Sequence, residues 1–278
     1  MAASRSTAAS STRVIHAVIG LAHLVVGIAL GAAAALSAPV ELPIALSIPV
    51  SDPIGAFAQV DFAAAGAVVV LISAAAHGVI AILLWRDASA HRARLLQLVA
   101  FAQGSAITVF LVAQLNGVAE AGALILVYAI AGAAAGLLWL QAHEVDERSR
   151  ARWPFSFGAG IAVVPWGVVA LYQVVGLAAG SPPPGVVRVV TLVILLIVAL
   201  AWWVERRVQL GTLPQQRGLV LHAGLSLANG VALLVLAAVL AQSSAIPQAR
   251  TVSSETTTGI AASPFWLLSL TPEDGCHD

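Results

Sequence analysis

Five polar side chains stand inside stretches otherwise dominated by Ala, Val, Leu, Ile and Gly: His23, His77, Gln103, Ser226 and Asn229. Their common chemistry is hydrogen bonding, and the two imidazoles add proton exchange near neutral pH. In apolar surroundings an unpaired ring nitrogen or amide is costly, so each group is expected to turn toward the protein interior. Pro165, Trp166 and Tyr172 form a second set. A proline inside a helix removes a backbone hydrogen bond and kinks the chain, and a neighbouring helix or hydroxyl must cover the freed carbonyl. Acids are missing from these stretches, since Asp61, Glu120 and Glu205 sit at their ends. A proton pump or ion-coupled carrier keeps a carboxylate in its core, so pumping is not expected. No P-loop, HExxH or GxSxG motif occurs, so no catalytic residue is assigned and the protein reads as a non-enzyme. A single cysteine, Cys276, excludes an internal disulfide or a cysteine-based metal cluster, and no metal site is expected.

The elements that must hold these groups follow from composition. The 278 residues are 60% hydrophobic and 9% charged, against roughly 25% charged in a soluble domain. So little polar surface places the bulk of the chain in a lipid bilayer. A formal net charge of zero lacks the basic footprint that nucleic acid requires. Apolar runs of about 20 residues, the length a bilayer demands, lie near 14–37, 59–85, 95–115, 121–142, 153–178, 186–204 and 218–241. Period-two alternation is missing, which argues against an outer-membrane barrel. The first run resembles a signal peptide, with Arg5 and Arg13 before it and Leu36-Ser37-Ala38 at its end. Its apolar core is too long and six more runs follow, so a retained helix is expected. The prediction is an all-α membrane protein, a multi-pass bundle of seven transmembrane helices in the cell (plasma) membrane. Residues 1–13 form a cytoplasmic N-terminal segment and 14–241 the transmembrane domain. Residues 242–278, rich in Ser and Thr, form an external flexible tail.

Arginine sets the direction. Arg5, Arg13, Arg86, Arg92, Arg94, Arg148, Arg150, Arg152, Arg206, Arg207 and Arg217 fall on one side, and only Arg188 and Arg250 on the other. The N-terminus is therefore expected in the cytoplasm and the C-terminus outside, the reverse of ordinary microbial rhodopsins. With about 1.5 Å of rise per residue, His23 and His77 lie roughly 12–13 Å below the cytoplasmic surface and Asn229 roughly 16 Å, with Gln103 at a similar level. Taken singly, each is explained by hydrogen bonding between helices. As a layer, they point to a ligand or water pocket. His16 and His222 lie nearer the surface and are expected at the membrane interface.

Local motifs add a resemblance. Gly20-Leu21-Ala22-His23-Leu24-Val25-Val26-Gly27 resembles the G-L-L-H-L-V-Q-G signature of heliorhodopsins, and Ser73-Ala74-Ala75-Ala76-His77 their second-helix S-A-x-A-H. Leu115-Asn116-Gly117-Val118 resembles the turn between their third and fourth helices. Trp153-Pro154-Phe155, Val164-Pro165-Trp166, Tyr172 and Pro183-Pro184-Gly185 follow the pattern around their fifth. The resemblance runs over residues 13–241 and implies a rhodopsin-like bundle of inverted topology, with the fifth-helix kink beside the pocket.

Two departures bear on function. Heliorhodopsins hold retinal on a seventh-helix lysine within a pattern like S-L-V-A-K-S. The matching stretch here is Leu225-Ser226-Leu227-Ala228-Asn229-Gly230, which puts Asn229 at the lysine position. Counting back from Leu115-Asn116-Gly117 puts Ala100 at the position of the counterion glutamate. The chain has no lysine at all, so a Schiff base with a lysine is excluded. The implied protein is a retinal-free rhodopsin homologue with no covalent cofactor. It would be a sensor, a binder of non-covalent retinal or another small apolar ligand, or a scaffold for an unidentified protein partner. The alternative is a small transporter or proton or ion channel gated by the histidine layer. Gly27-x-x-x-Gly31 and Gly132-x-x-x-Gly136 permit close helix approach, within the chain or in a homodimer.

Overall fold

Seven helices and one short hairpin follow the apolar runs. The computed structural model describes residues 2–46, 54–86, 89–143 and 153–245, with side chains over 11–46, 57–86, 89–143 and 153–242. The helices are α1 (Ala2–Leu36), α2 (Phe62–Trp85), α3 (Ala90–Leu115), α4 (Ala121–His143), α5 (Trp153–Ala178), α6 (Gly185–Gln209) and α7 (Gln215–Ala245). Each contains a segment long and apolar enough to cross a membrane. Asp61 caps α2 by accepting from the Ala64 amide at 2.7 Å, and Glu120 accepts from the Ala123 amide at 2.6 Å at the start of α4. Gly117, at φ +95°, makes the tight α3–α4 turn that a side chain would strain.

The structure revises several boundaries. Helix α1 begins at Ala2, within the expected N-terminal segment, and its membrane-length apolar stretch begins at Ser11. The second span starts at Phe62 rather than 59, because 54–61 is a strand and Asp61 is the cap. Inside the long 38–58 connection and its margins lies an antiparallel hairpin, β1 (Glu41–Leu46) with β2 (Ile54–Asp61), pairing Leu42 with Val60 and Ile44 with Ala58. Helix α3 starts five residues ahead of the apolar run and α6 ends five beyond it. The added turns carry Arg92, Arg94, Glu205, Arg206 and Arg207, charged groups that a hydropathy window leaves out. Helix α7 runs to Ala245, four residues into the expected tail; the rest of that tail, including Cys276, and the charged 144–152 connection lie outside the described residues.

Packing of α1 shows how the bundle sorts its faces. Thr12, His16, Gly20, His23, Gly27 and Leu30 are buried, at spacings of three and four, whereas Val18, Leu21, Val25 and Ile28 face outward. That outward stripe is apolar, as lipid requires. The buried stripe packs against α2 and α7. A Cβ on Gly20 would lie 3.4 Å from the α2 backbone at Ala74 and Gly78, and one on Gly27 would come within 2.7 Å of Leu71 Cδ2. Gly31 and Gly136 have no neighbour within 4 Å of an added Cβ. Each small-residue motif thus uses its first glycine inside the chain.

The hairpin plugs one end of the bundle. Leu42 is buried in the main core with Phe62, the Ala45 amide donates to the Ala119 carbonyl at 2.7 Å, and the Phe62 amide donates to Val40 at 3.1 Å. Beside it, Asn116 donates to Thr191 Oγ1 at 3.0 Å and accepts from Gln173 Nε2 at 2.8 Å. This network ties α3, α5 and α6 together at the hairpin end.

Candidate functional site

The arginine-rich half of the bundle holds a row of buried imidazoles. His23 projects from α1 and His77 from α2, with ring centroids 5.0 Å apart, and both are almost fully buried. His23 Nδ1 donates to the Ile19 carbonyl at 2.9 Å. A neutral ring then has only Nε2 left as an acceptor, and it lies 3.2 Å from the Ser226 hydroxyl on α7. On the other side of His77 stands His16, with the two Nδ1 atoms 3.1 Å apart. One ring must donate and the other accept, so neutral His16 and His77 carry opposite tautomers. Gly230 leaves the space for this arrangement: a Cβ there would stand 3.3 Å from Val70 Cγ2 and 3.8 Å from His23 Cδ2.

Adjoining this row is a cavity walled by α2, α3, α6 and α7. Each wall is a single helical stripe: Val69, Ser73, Ala76, His77 and Ile80 on α2; Gln97, Ala100, Phe101, Gly104, Ser105 and Thr108 on α3. Ile197, Val198 and Ala201 come from α6, and His222, Leu225, Ser226 and Asn229 from α7. The centre of a water molecule can roam ≈ 50 Å³ of it. At about 10–15 Å³ per water, that is room for about three to five. Asn229 Nδ2 donates to Thr108 Oγ1 at 3.1 Å, and Gln97 Nε2 donates to the Leu219 carbonyl at 3.1 Å. Two wall atoms, His222 Nε2 and Asn229 Oδ1, are buried with no partner in the protein. At the arginine-rich end Arg94 meets Glu205 of α6 at 2.6 Å, with a second bond from Nε at 3.2 Å.

Ser226, Asn229, His77 and Ala100 therefore share one cavity, and His23 contacts it through Ser226. The others do not join. Gln103 is exposed on the outer face and accepts from the Tyr128 hydroxyl at 2.9 Å. At 100° per residue it lies roughly 130° around α3 from the stripe centred on Phe101 and Gly104. Depth alone ignored that rotation. Pro165 is buried within α5, and Trp166 and Tyr172 pack on the main core; none of the three lines the cavity. The expected extension of the pocket toward α5 is thus not found. His16 and His222, expected at the interface, are 0% and 2% exposed. Residues 222, 226 and 229 share one face of α7 at spacings of four and three, a signal that would have placed His222 inside. Residues 97, 101, 105 and 108 give the same signal on α3.

Seven apolar helices around a buried polar cavity define a multi-pass membrane protein of the rhodopsin-like class. The family is then specified by the sequence comparison: the chain belongs to the heliorhodopsin family, whose model matches residues 11–212. The match covers the membrane segments of α1 to α6 and stops just ahead of α7. No curated protein matches the sequence. Heliorhodopsins bind retinal, and two observations here do not fit retinal held in their manner. No lysine exists to carry it, and the cavity beside Asn229 and Ala100 is lined by no residue of α5, Trp166 included.

Proposed function

We propose that this protein is a non-enzymatic sensor that takes a small ligand non-covalently into the cavity between α2, α3, α6 and α7. The observation that carries the reading is the pair of unpartnered wall atoms, His222 Nε2 and Asn229 Oδ1. Buried polar groups are normally paired, and those that are not mark a place where water or a ligand completes them. The resemblance puts Asn229 at the lysine position, so the ligand would meet the helix that holds retinal in relatives. Retinal itself, held non-covalently, belongs to this reading. The volume nonetheless favours a molecule several times smaller. We place the N-terminus in the cytoplasm from the arginine distribution, which puts the cavity on the cytoplasmic half of a plasma-membrane protein. Native mass spectrometry of the protein purified in mild detergent tests the proposal. A small molecule retained by the native protein and lost from Asn229→Leu supports it. A bare protein mass, together with no uptake of small apolar molecules, would leave a scaffold acting through a protein partner or as a homodimer.

One observation favours the transport alternative: His16 and His77 share a hydrogen bond, His23 and Ser226 share another, and the His77 and His23 rings between them stand 5.0 Å apart, a gap one water would bridge to make a proton path. The hairpin half opposes it, being filled by Val109, Leu111, Val112, Leu124, Leu233 and Leu236 of the main core. A pH-dependent current in proteoliposomes would establish the alternative.

A further inference from the structure

The polar groups on the cavity wall are not evenly divided between donors and acceptors. Asn229 gives its amide nitrogen to Thr108, which leaves Oδ1, a group that can only accept, buried and unpaired. Ser73 donates its hydroxyl to the Val69 carbonyl at 3.1 Å, and Ser105 donates to Ala102 at 3.3 Å. Both protons are thereby committed to the serines' own helices, so these hydroxyls offer the cavity lone pairs. The donors left on the wall, the second N–H of Asn229 and of Gln97 and the Thr108 hydroxyl, belong to groups that already have a partner. Ser226 gives its proton to His23, whose other nitrogen is held by Ile19. The remaining unpartnered atom, His222 Nε2, is neutral on this point, since imidazole offers either an N–H or a lone pair according to tautomer.

We infer that the cavity selects a compact ligand bearing a hydrogen-bond donor, a hydroxyl or an amine, over an aldehyde or ketone of the same shape. The inference rests on the reading of this cavity as a ligand site and names the chemistry that site recognises. A hydroxyl satisfies Asn229 Oδ1, whereas a carbonyl oxygen brought to the same place sets acceptor against acceptor and leaves both unpaired. The discrimination holds when water occupies the site first. An alcohol that displaces such a water restores its hydrogen bond and an aldehyde does not. The preference is opposite to that of a pocket built to deliver an aldehyde to an amine.

Three near-isosteres of four heavy atoms, small enough for a cavity of this volume, separate the possibilities: 2-propanol, acetone and isobutane. Each is titrated into the full-length protein in lipid nanodiscs, with empty nanodiscs subtracted, and binding is read by saturation-transfer NMR. 2-Propanol is expected to bind about ten-fold more tightly than acetone, the scale of one buried acceptor left unmet. Asn229→Leu should bring the alcohol to the level of isobutane. Thr108→Val supplies an independent arm, because it releases the Asn229 amide nitrogen and lets the side chain turn a donor to the cavity; the ten-fold preference should then collapse while binding persists. Acetone binding as tightly as the alcohol overturns this inference and leaves the ligand site standing. Failure of all three compounds to bind above empty nanodiscs overturns the ligand site itself, and the inference with it.

Discussion

The Arg94–Glu205 pair allows the energetic argument to be tested at one contact. Arg94 Nη2 and Nε both donate to Glu205 Oε2, at 2.6 and 3.2 Å, and the side chains are 11% and 3% exposed. Burial on this scale removes most of each group's hydration, so the pair is stable only while both members are present. Arg94→Ala strands a carboxylate that water reaches poorly, and the expected loss is about 3–5 kcal/mol. Replacing both members, as Arg94→Met with Glu205→Leu, removes the desolvation problem with the attraction and should return the protein to within about 1–2 kcal/mol of wild type. Reversible denaturation in mixed micelles, run on both single variants and the double, closes the thermodynamic cycle. A cost below about 1 kcal/mol for Arg94→Ala, the value of a solvent-exposed pair, would show that the contact is not desolvated. Simple addition of the two single losses in the double variant would be equally damaging.

Further expectations concern other parts of the molecule. Cysteine introduced at Ala45 and the native Cys276 should be labelled from outside intact cells and cysteine at Ser89 should not; the opposite pattern inverts the proposed orientation. Protein grown with all-trans retinal should show no visible Schiff-base band and nothing trapped by borohydride, and a reducible coloured species would refute the excluded lysine chemistry. Gly158→Ala should destabilise the α4–α5 contact by about 1–3 kcal/mol, because its Cβ would sit 2.9 Å from the Ala134 carbonyl oxygen and 3.2 Å from Trp202. Gly136→Ala meets nothing and should be silent in the same melt. His77→Phe should cost about 1–3 kcal/mol by leaving His16 without its ring partner, and an unchanged melt would mean that the two imidazoles do not support each other.

The membrane spans were legible because an apolar run of bilayer length has few other uses, and all seven are found close to where the runs lie. Their ends were less legible. Hydropathy stops at the first charged residue, Arg94 or Glu205, whereas α3 and α6 each carry on about a turn further and bring those two side chains together. The hairpin was hidden because Val60 reads as the start of an apolar helix until Asp61 is recognised as its cap. In the polar layer, depth along the chain was readable and azimuth was neglected. That is why Gln103 was grouped with His77, while Gln97, on the correct face, went unnoticed. Of the three groups placed by depth near His23, namely Gln103, Ser226 and Asn229, only Ser226 bonds it, because it alone is on the right face of a helix that meets α1. His16 looked interfacial only because its distance from the span end was weighed without its place in the stripe of Gly20 and His23.

The hairpin has a mechanical consequence. It bonds the α1–α2 connection to the α3–α4 connection through Ala45 and Ala119, and Gln114 reaches across to the Pro43 carbonyl at 3.5 Å. Four helices are thus riveted to one plate at that end. At the opposite end the helices meet through side chains: Ile80, Ala93 and Leu219 pack α2, α3 and α7 together, Gln97 bonds α3 to α7, and the Arg94–Glu205 pair joins α3 to α6. One rim is thus fastened partly through backbone hydrogen bonds and the other through side chains, and amides near Ala90 and Gln215 should exchange with solvent before those near Phe62 and Leu124.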